Sequence, residues 1–150
     1  MFIEAFLNKK YKIGYTSGVF DLFHIGHLNI LKRSKELCDY LIVGVNTDEL
    51  VETYKKKRTV ISFEERIAIV ESIKYVDQVI AQKNLDKMEV WNNHKFDAVF
   101  IGSDWKGSQR WKDTEEILKT VGADVVYLPY TINTSSSILK ETLDKINRAE

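Results

Sequence analysis

The chain has 150 residues, of which 44% are hydrophobic and 29% are charged, and its 22 basic residues balance its 22 acidic residues. This length predicts a single domain over residues 1–150, with residues 1–10 as a candidate N-terminal arm, and the apolar content argues against a disordered chain. Zero net charge gives no electrostatic reason to expect a nucleic-acid or membrane partner. The one cysteine, Cys38, excludes an intrachain disulfide and is expected to be a small buried residue. Because the start of the chain also lacks the pattern of a signal peptide, we expect a cytoplasmic protein.

Strand and helix patterns alternate through the first half of the chain. A strand is predicted over 12–16, an amphipathic helix over 25–37, and a strand over 40–46 whose continuous apolar run is typical of burial on both faces. Ser62 and Glu65 have the spacing of a capping box, which predicts that a helix begins there and continues to about residue 73.

The same alternation continues to the end of the chain. The predicted elements are a strand over 76–81, a helix over 86–94, a strand over 97–103, a helix over 114–121 that stops at Gly122, a strand over 124–129 and a helix over 135–146. This order predicts an α/β fold, a Rossmann-like, doubly wound, five-stranded parallel sheet with helices on both faces. Because ligands bind beyond the carboxyl ends of such strands, we expect the polar turns after strands one, two, four and five to converge on one edge.

The turn after the first strand, SGVFDLFHIGH, contains two histidines at a helix start. His24 and His27 would share one helix face, next to free backbone N–H groups and the positive end of the helix dipole, which together favour a phosphate ligand. Gly18 and Gly26 would let the backbone approach that ligand closely. The dipole disfavours protonated rings, so hydrogen-bond donation by neutral histidines stays open beside charge stabilisation. A purely structural histidine pair, or a metal site, is the alternative.

This turn resembles the (T/S)GxFDxxHxGH motif of the cytidylyltransferase family of HxGH nucleotidyltransferases. LCDYLIVGVNTDEL, SFEERIAIVESIKYVDQVI and IGSDWKG follow in the family's order, so the resemblance runs from about residue 11 to 143. It implies transfer of CMP from CTP to a small phosphomonoester, with glycerol 3-phosphate as the first choice, in cell-envelope or capsule precursor synthesis. An adenylyltransferase of the same superfamily, of the FMN or phosphopantetheine type, is one alternative. A catalytically silent nucleotide-binding subunit is the other.

The resemblance also implies roles for individual side chains. The implied catalytic residues are His24, His27, Lys55 and Arg66. The implied nucleotide-binding residues are Gly18, Val19, Phe20, Asp21, His24, His27, Gly102, Asp104, Trp105, Thr131, Ser135, Ser136 and Ser137. The implied acceptor-binding residues are Asp21, Asp48, Lys55, Lys56, Lys57, Lys74 and Asp77.

Three further expectations depend on the resemblance. The segment from Tyr54 to Arg58 is one residue longer than in related sequences, so either Lys55 and Lys57 or Lys56 would reach phosphate; a solvated loop is the alternative for this segment. Mg²⁺ is implied by the triphosphate and would be held mainly by the CTP phosphates rather than by the protein. A homodimer is also implied, with residues 74–77 at its interface.

The segment YTINTSSS, residues 130–137, departs from the family pattern RTEGISTT. Tyr130, Ile132 and Asn133 replace the arginine, glutamate and glycine of that pattern, whereas its threonine and hydroxyl run remain. We expect the hydroxyls at the helix start still to receive phosphates. Either a lysine of the basic segment or Arg110 would replace the charge of the arginine, or the substrate differs.

Overall fold

The computed structural model describes residues 9–131 and 135–149. Its strands are β1 (Tyr11–Gly18), β2 (Cys38–Asn46), β3 (Gln78–Gln82), β4 (Ala98–Gly102) and β5 (Asp124–Leu128). They form one parallel sheet in the order β3-β2-β1-β4-β5. The chain therefore builds outward from β1 to β3 and then returns to build outward from β4 to β5, so that the strand order reverses between β1 and β4. The predicted five-stranded parallel sheet is confirmed.

The helices are α1 (Ile25–Leu37), α2 (Asp48–Lys55), α3 (Phe63–Glu71), α4 (Lys87–His94), α5 (Gln109–Lys119) and α6 (Ser136–Ala149). A short 3₁₀ turn, Ser103–Trp105, follows β4. The sequence analysis did not predict α2, because it treated this region as a polar turn and a basic segment. It also started α5 five residues too late, because it overlooked Ser108, whose side chain caps that helix by accepting from the Trp111 N–H.

Each face of the sheet has its own hydrophobic core. Alternate residues of β4 point to opposite faces, so that Phe100 packs with Leu31 of α1 and Val70 of α3, whereas Val99 packs with Trp111 and other residues of α4 and α5. Helices therefore cover both faces, as predicted. Cys38 is fully buried in the first core, which confirms the expectation for it. Throughout the part of the chain that the structure describes, no helix has the length and apolar character to span a membrane.

Candidate active site

A cavity of about 820 Å³ opens at the carboxyl ends of β1 and β4, where the strand order reverses. The turns after β1, β4 and β5, the basic segment after α2 and the start of α6 line it. All of the residues predicted to bind the nucleotide lie in its wall: Gly18, Val19, Phe20, Asp21, His24, His27, Gly102, Asp104, Trp105, Thr131, Ser135, Ser136 and Ser137. The fold thus brings together residues from four separate segments, and the part that each plays with a ligand stays a prediction.

His24 and His27 form a reciprocal cap at the start of α1. Nδ1 of His24 accepts a hydrogen bond from the Gly26 N–H at 3.0 Å, and Nδ1 of His27 accepts one from the His24 N–H at 3.2 Å. The two rings stack with their centroids 3.9 Å apart. A ring nitrogen that accepts a hydrogen bond carries no proton, so each neutral ring carries its proton on Nε2. Both histidines can therefore offer an Nε2–H donor to a ligand in the cavity that they line.

Both rings are held in the neutral form. Burial lowers the pKa of His24. Burial also lowers the pKa of His27 to about 3, with help from His24 in its protonated form and from the Lys55 ammonium, and against the charge of Asp21. The structure therefore favours the neutral-donor alternative over a fixed positive charge on the histidine pair.

The backbone of this turn is shaped to place the His24 ring. A Cβ atom on Gly26 would lie 2.8 Å from Cε1 and 3.0 Å from Nδ1 of His24, so the absence of a side chain leaves room for the capping ring. Phe20 and Leu22 adopt left-handed backbone angles, with φ of 56° and 49°, which is a strained conformation for residues with side chains. The sequence analysis assigned Gly26 to the approach of a ligand, and the structure shows that His24 itself needs the space.

Asp21 joins three segments that are distant in the sequence. Its carboxylate is 2% exposed, and it accepts hydrogen bonds from the backbone N–H groups of Leu22, Val60 and Ile61 and from Lys140 Nζ. Burial alone would raise the pKa of Asp21, but the N–H donors of Val60 and Ile61 and the charge of Lys140 outweigh it and lower the pKa. Asp21 is thus an ionised group that links two parts of the chain to the first turn: the residues that follow the basic segment, and helix α6.

Arg66 lies in the protein interior and not in the cavity wall. Its guanidinium donates to the carbonyl oxygens of Val19 at 2.6 Å, Asn46 at 2.8 Å and Ile61 at 3.0 Å, and it forms a 2.6 Å ion pair with Asp48. The side chain is fully buried. Because these acceptors occupy the guanidinium, Arg66 positions the carboxyl ends of β1 and β2 instead of presenting a charge to the cavity.

Asp48 and the basic segment are fixed together. Asp48 also accepts from the Thr59 hydroxyl at 3.0 Å and from the Phe63 N–H at 3.2 Å. Burial alone would raise the pKa of Asp48, but Arg66 and these two donors outweigh it and lower the pKa. Asp48 therefore positions the residues that follow the basic segment, and it does not line the cavity.

Within the basic segment, Lys55, Lys57 and Arg58 line the cavity, whereas Lys56, the residue directly after α2, adopts the left-handed conformation and does not line it. The pKa of Lys55 is lowered, because partial burial and the charges of Lys140 and Lys57 disfavour its ammonium form more than Asp21 favours it. Of the two alternatives left by the longer segment, the geometry therefore favours Lys55 and Lys57.

The structure does not bring Lys74 and Asp77 to the cavity. Asp77 accepts a hydrogen bond from the Leu41 N–H near the amino end of β2 and forms a 2.6 Å ion pair with Lys35. It therefore lies at the amino ends of the strands, whereas the cavity lies at their carboxyl ends. Lys74 lies over the ring of Tyr75 in the same region. Within one chain, Lys74 and Asp77 are therefore not placed to contact a ligand in this cavity.

Arg110 also lies outside the cavity wall, 5.7 Å from the ring centroids of Trp105 and of Trp111. It is therefore not placed to supply the charge predicted in place of the family arginine. Tyr130, which occupies that position, lines the cavity with its side chain half-exposed. The other two substituted positions, Ile132 and Asn133, lie outside the described residues, as do residues 1–8 of the candidate arm.

The sequence analysis missed the cavity-facing side of α6 beyond its first turn. Lys140, Glu141 and Asp144 line the cavity together with the serines at the helix start. These residues recur at helical spacing from Ser136 and Ser137, and that spacing was the signal that could have found them. Among residues 9–131 and 135–149, no group of three or more His, Cys, Asp or Glu side chains is placed to hold a metal ion. These residues therefore do not fit a metal held by the protein alone.

Comparison with known proteins relates the chain to one family. A family model described as cytidylyltransferase-like matches residues 15–142. The glycerol-3-phosphate cytidylyltransferase of Bacillus subtilis (strain 168) is 40% identical over 129 residues, which cover 85% of this chain and 94% of that protein.

Two further relatives extend the comparison. The FAD synthase of Thermococcus sibiricus (strain DSM 12597 / MM 739) is 33% identical over 142 residues, which cover 93% of this chain and 96% of that protein. Among solved structures, the lipopolysaccharide core biosynthesis protein from Thermoplasma volcanium GSS1 matches with a TM-score of 0.67 at 27% identity, covering 81% of this chain and 97% of that one.

Proposed function

This chain belongs to the cytidylyltransferase-like family, and from that membership we propose that it transfers CMP from CTP to a small phosphomonoester, with release of pyrophosphate. Glycerol 3-phosphate is the proposed acceptor, since the B. subtilis relative, 40% identical, carries that substrate in its name. The observation that carries the proposal is the stacked pair of neutral histidines in a cavity whose wall also holds lysines and a helix start with three serines.

The proposed reaction is a displacement at phosphorus. An anionic oxygen of the acceptor phosphate forms a bond to the α-phosphorus of CTP. The bond from that phosphorus to the bridging oxygen breaks, and this oxygen leaves with the electron pair as part of pyrophosphate. Because the attacking oxygen is already ionised, the reaction needs no general base. The protein therefore contributes positioning and stabilisation of negative charge.

The described residues fit these two tasks. The Nε2–H groups of His24 and His27 are proposed to donate hydrogen bonds to oxygens of the α-phosphate. Both neutral rings already carry this proton, so neither histidine has to gain or lose a proton in the reaction. Lys55 and Lys57, which also line the cavity, are proposed to balance the phosphate charge. Mg²⁺ would be held by the CTP phosphates, as expected from the sequence, and would supply further neutralisation of their charge.

Two wall segments are proposed to recognise the rest of the nucleotide. Asp104 and Trp105, which follow β4, would contact the cytosine and ribose, and the serines at the start of α6 would receive the outer phosphates. Arg66 and Asp48 are proposed to act through position alone. A homodimer is proposed from the family resemblance, and sedimentation of the purified chain would test it.

Turnover of a substrate panel tests the proposed function. Purified protein is incubated with Mg²⁺ and either CTP or ATP, together with glycerol 3-phosphate, phosphocholine, phosphoethanolamine, FMN or phosphopantetheine. Pyrophosphate release gives the rate, and mass spectrometry identifies the product. We expect turnover with CTP and glycerol 3-phosphate, and a loss of about 10²-fold to 10³-fold in His27→Ala, which lacks one donor to the reacting phosphate. Near-full activity of a folded His27→Ala variant would contradict the role given to the histidines.

The second candidate function is synthesis of FAD from ATP and FMN. It is favoured by the Thermococcus relative, which is 33% identical across 93% of this chain. The same panel separates the two functions, because turnover with ATP and FMN but not with CTP would replace the first proposal by the second. Nucleotide binding without any turnover would instead indicate a silent subunit.

A further inference from the structure

A chain of buried hydrogen bonds links the sheet to Tyr54, the residue next to Lys55 in the last turn of α2. Lys55 lines the cavity, whereas Tyr54 does not. We propose, on the basis of the proposed function, that Tyr54 is a positioning residue, which holds the last turn of α2 on the sheet and thereby keeps the Lys55 ammonium at the phosphates of the nucleotide. Tyr54 would thus act through Lys55 and without contact to the substrate.

The direction of each hydrogen bond in this chain follows from the lysine at its start. Nζ of Lys87 lies 3.2 Å from Oε1 of Gln82, and the Tyr15 hydroxyl lies 2.6 Å from the same oxygen. Burial lowers the pKa of Lys87 to about 8, so the group is still an ammonium at neutral pH, and an ammonium can only donate. Its partner is therefore the amide oxygen of Gln82. The amide nitrogen of Gln82 then donates to Oδ1 of Asn46 at 2.6 Å, and Nδ2 of Asn46 donates to the Tyr54 hydroxyl at 2.9 Å.

The two amides in the middle of this chain are shielded from water. Gln82 and Asn46 are each 4% exposed. A buried N–H group that loses its acceptor costs the desolvation of that group, so the Asn46 amide favours the placement of Tyr54 in which the hydroxyl accepts from it. The strands β2 and β3 thereby set the position of a side chain on α2.

The same two strands hold both ends of α2. At the start of the helix, the Thr47 side chain accepts from the Leu50 N–H, and the Thr47 N–H donates to the backbone carbonyl of Gln82 at 3.1 Å. At its end, the ring centroid of Tyr54 lies 5.8 Å from Lys55 Nζ. The helix has eight residues, and a helix of this length is marginal without tertiary contacts. The link at Tyr54 therefore helps to decide where the last turn, and Lys55 with it, is placed.

Lys55 needs such a contact because its own surroundings disfavour its charge. Partial burial and the charges of Lys140 and Lys57 lower the pKa of Lys55 more than the charge of Asp21 raises it. In the free protein the two neighbouring cations repel the Lys55 ammonium, so contacts elsewhere on α2 have to keep it at the cavity. The bond from Asn46 to Tyr54 is a contact of this kind, since both residues lie outside the cavity wall.

A double-mutant cycle tests this assignment. Tyr54→Phe removes the hydroxyl but keeps the ring, and Asn46→Ala breaks the same chain at its donor. We expect kcat/KM for CTP, measured by pyrophosphate release, to fall about ten-fold in each and about a hundred-fold in Lys55→Met. In the Lys55→Met background, Tyr54→Phe should have almost no further effect, because no ammonium is left to position. Tyr40→Phe is the matched control and should equal wild type, since the Tyr40 hydroxyl donates to Oε1 of Gln78 at 2.9 Å across the same two strands but at their amino ends.

The pKa of Lys55 in the free protein gives a second measurement, which needs no substrate. It is obtained by NMR titration of the lysine ammonium groups, with the Lys55 signal assigned from its absence in Lys55→Met. In Tyr54→Phe and Asn46→Ala, each checked for cooperative unfolding in urea, the pKa of Lys55 should rise toward that of an exposed lysine, because a released side chain regains water. It should stay unchanged in Tyr40→Phe.

Two results would overturn the assignment of Tyr54. One is an unchanged pKa of Lys55 in folded Tyr54→Phe, and the other is a full additional loss of kcat/KM when Tyr54→Phe is added to Lys55→Met. Wild-type protein that turns over none of the nucleotide panel would overturn the proposed function, while the pKa of Lys55 would still decide whether Tyr54 positions it.

Discussion

Replacement of Gly26 by alanine should reduce activity without a matching loss of stability. The new Cβ would lie 2.8 Å from Cε1 of His24, whereas two carbon atoms pack at about 3.5 Å, so the ring must move by about 0.7 Å. That movement breaks the 3.0 Å hydrogen bond from the Gly26 N–H to Nδ1 of His24. Loss of the cap destabilises the helix by about 1 kcal/mol, and the higher helix propensity of alanine offsets up to about 1 kcal/mol of this.

The effect on turnover should be much larger. Misplacement of a reacting-site group by about 1 Å costs about 10²-fold in rate, and we expect kcat/KM for CTP to fall by about this factor in Gly26→Ala. Pyrophosphate release measures the rate, and urea unfolding measures the stability. The control is a double-mutant cycle with His24→Ala, in whose background Gly26→Ala should have almost no further effect because the clashing ring is gone. A full additional loss in that background, or wild-type kcat/KM in Gly26→Ala, would refute the steric argument.

Two further predictions concern Arg66 and His27. Arg66→Met should lower the free energy of unfolding in urea by about 2–4 kcal/mol, since it leaves the Val19 and Asn46 carbonyls without their donor and Asp48 without its cation. A loss below about 1 kcal/mol would contradict the positioning role of Arg66. For His27, the ring in the unfolded chain takes up a proton near pH 6.5, whereas the ring in the folded protein stays neutral down to its pKa of about 3. Between these two values the unfolded state binds more protons than the folded state, so the free energy of unfolding falls as the pH falls. We expect wild type to lose about 2 kcal/mol more than His27→Gln between pH 7 and pH 5, measured by urea unfolding; parallel curves would show that His27 is not held neutral.

The sheet and the first turn were predictable because their signals are local. Apolar runs such as that of β2 and caps such as Ser62 are properties of a few consecutive residues, and their alternation leaves few topologies other than a parallel sheet with helices on both faces. The same holds for His24 and His27, whose spacing of three residues places them together at the start of α1. The helix α2 was missed although Leu50 and Val51 carry its buried face, because the charged residues around them were read as a loop.

The sequence by itself therefore determined the order of the five strands, the end of the sheet where the cavity lies and the pairing of His24 with His27 at the start of α1. Only the tertiary structure decided which charged groups face the cavity. Arg66 stands in a motif that suggests a ligand contact, yet carbonyls from three separate segments occupy its guanidinium. Lys140 shares a helix face with the serines at the start of α6, yet its charge partner is Asp21, near the other end of the chain. The physical reason is that the partner of a charged side chain is set by contacts between segments distant in sequence, and periodicity and spacing record only what neighbouring residues do.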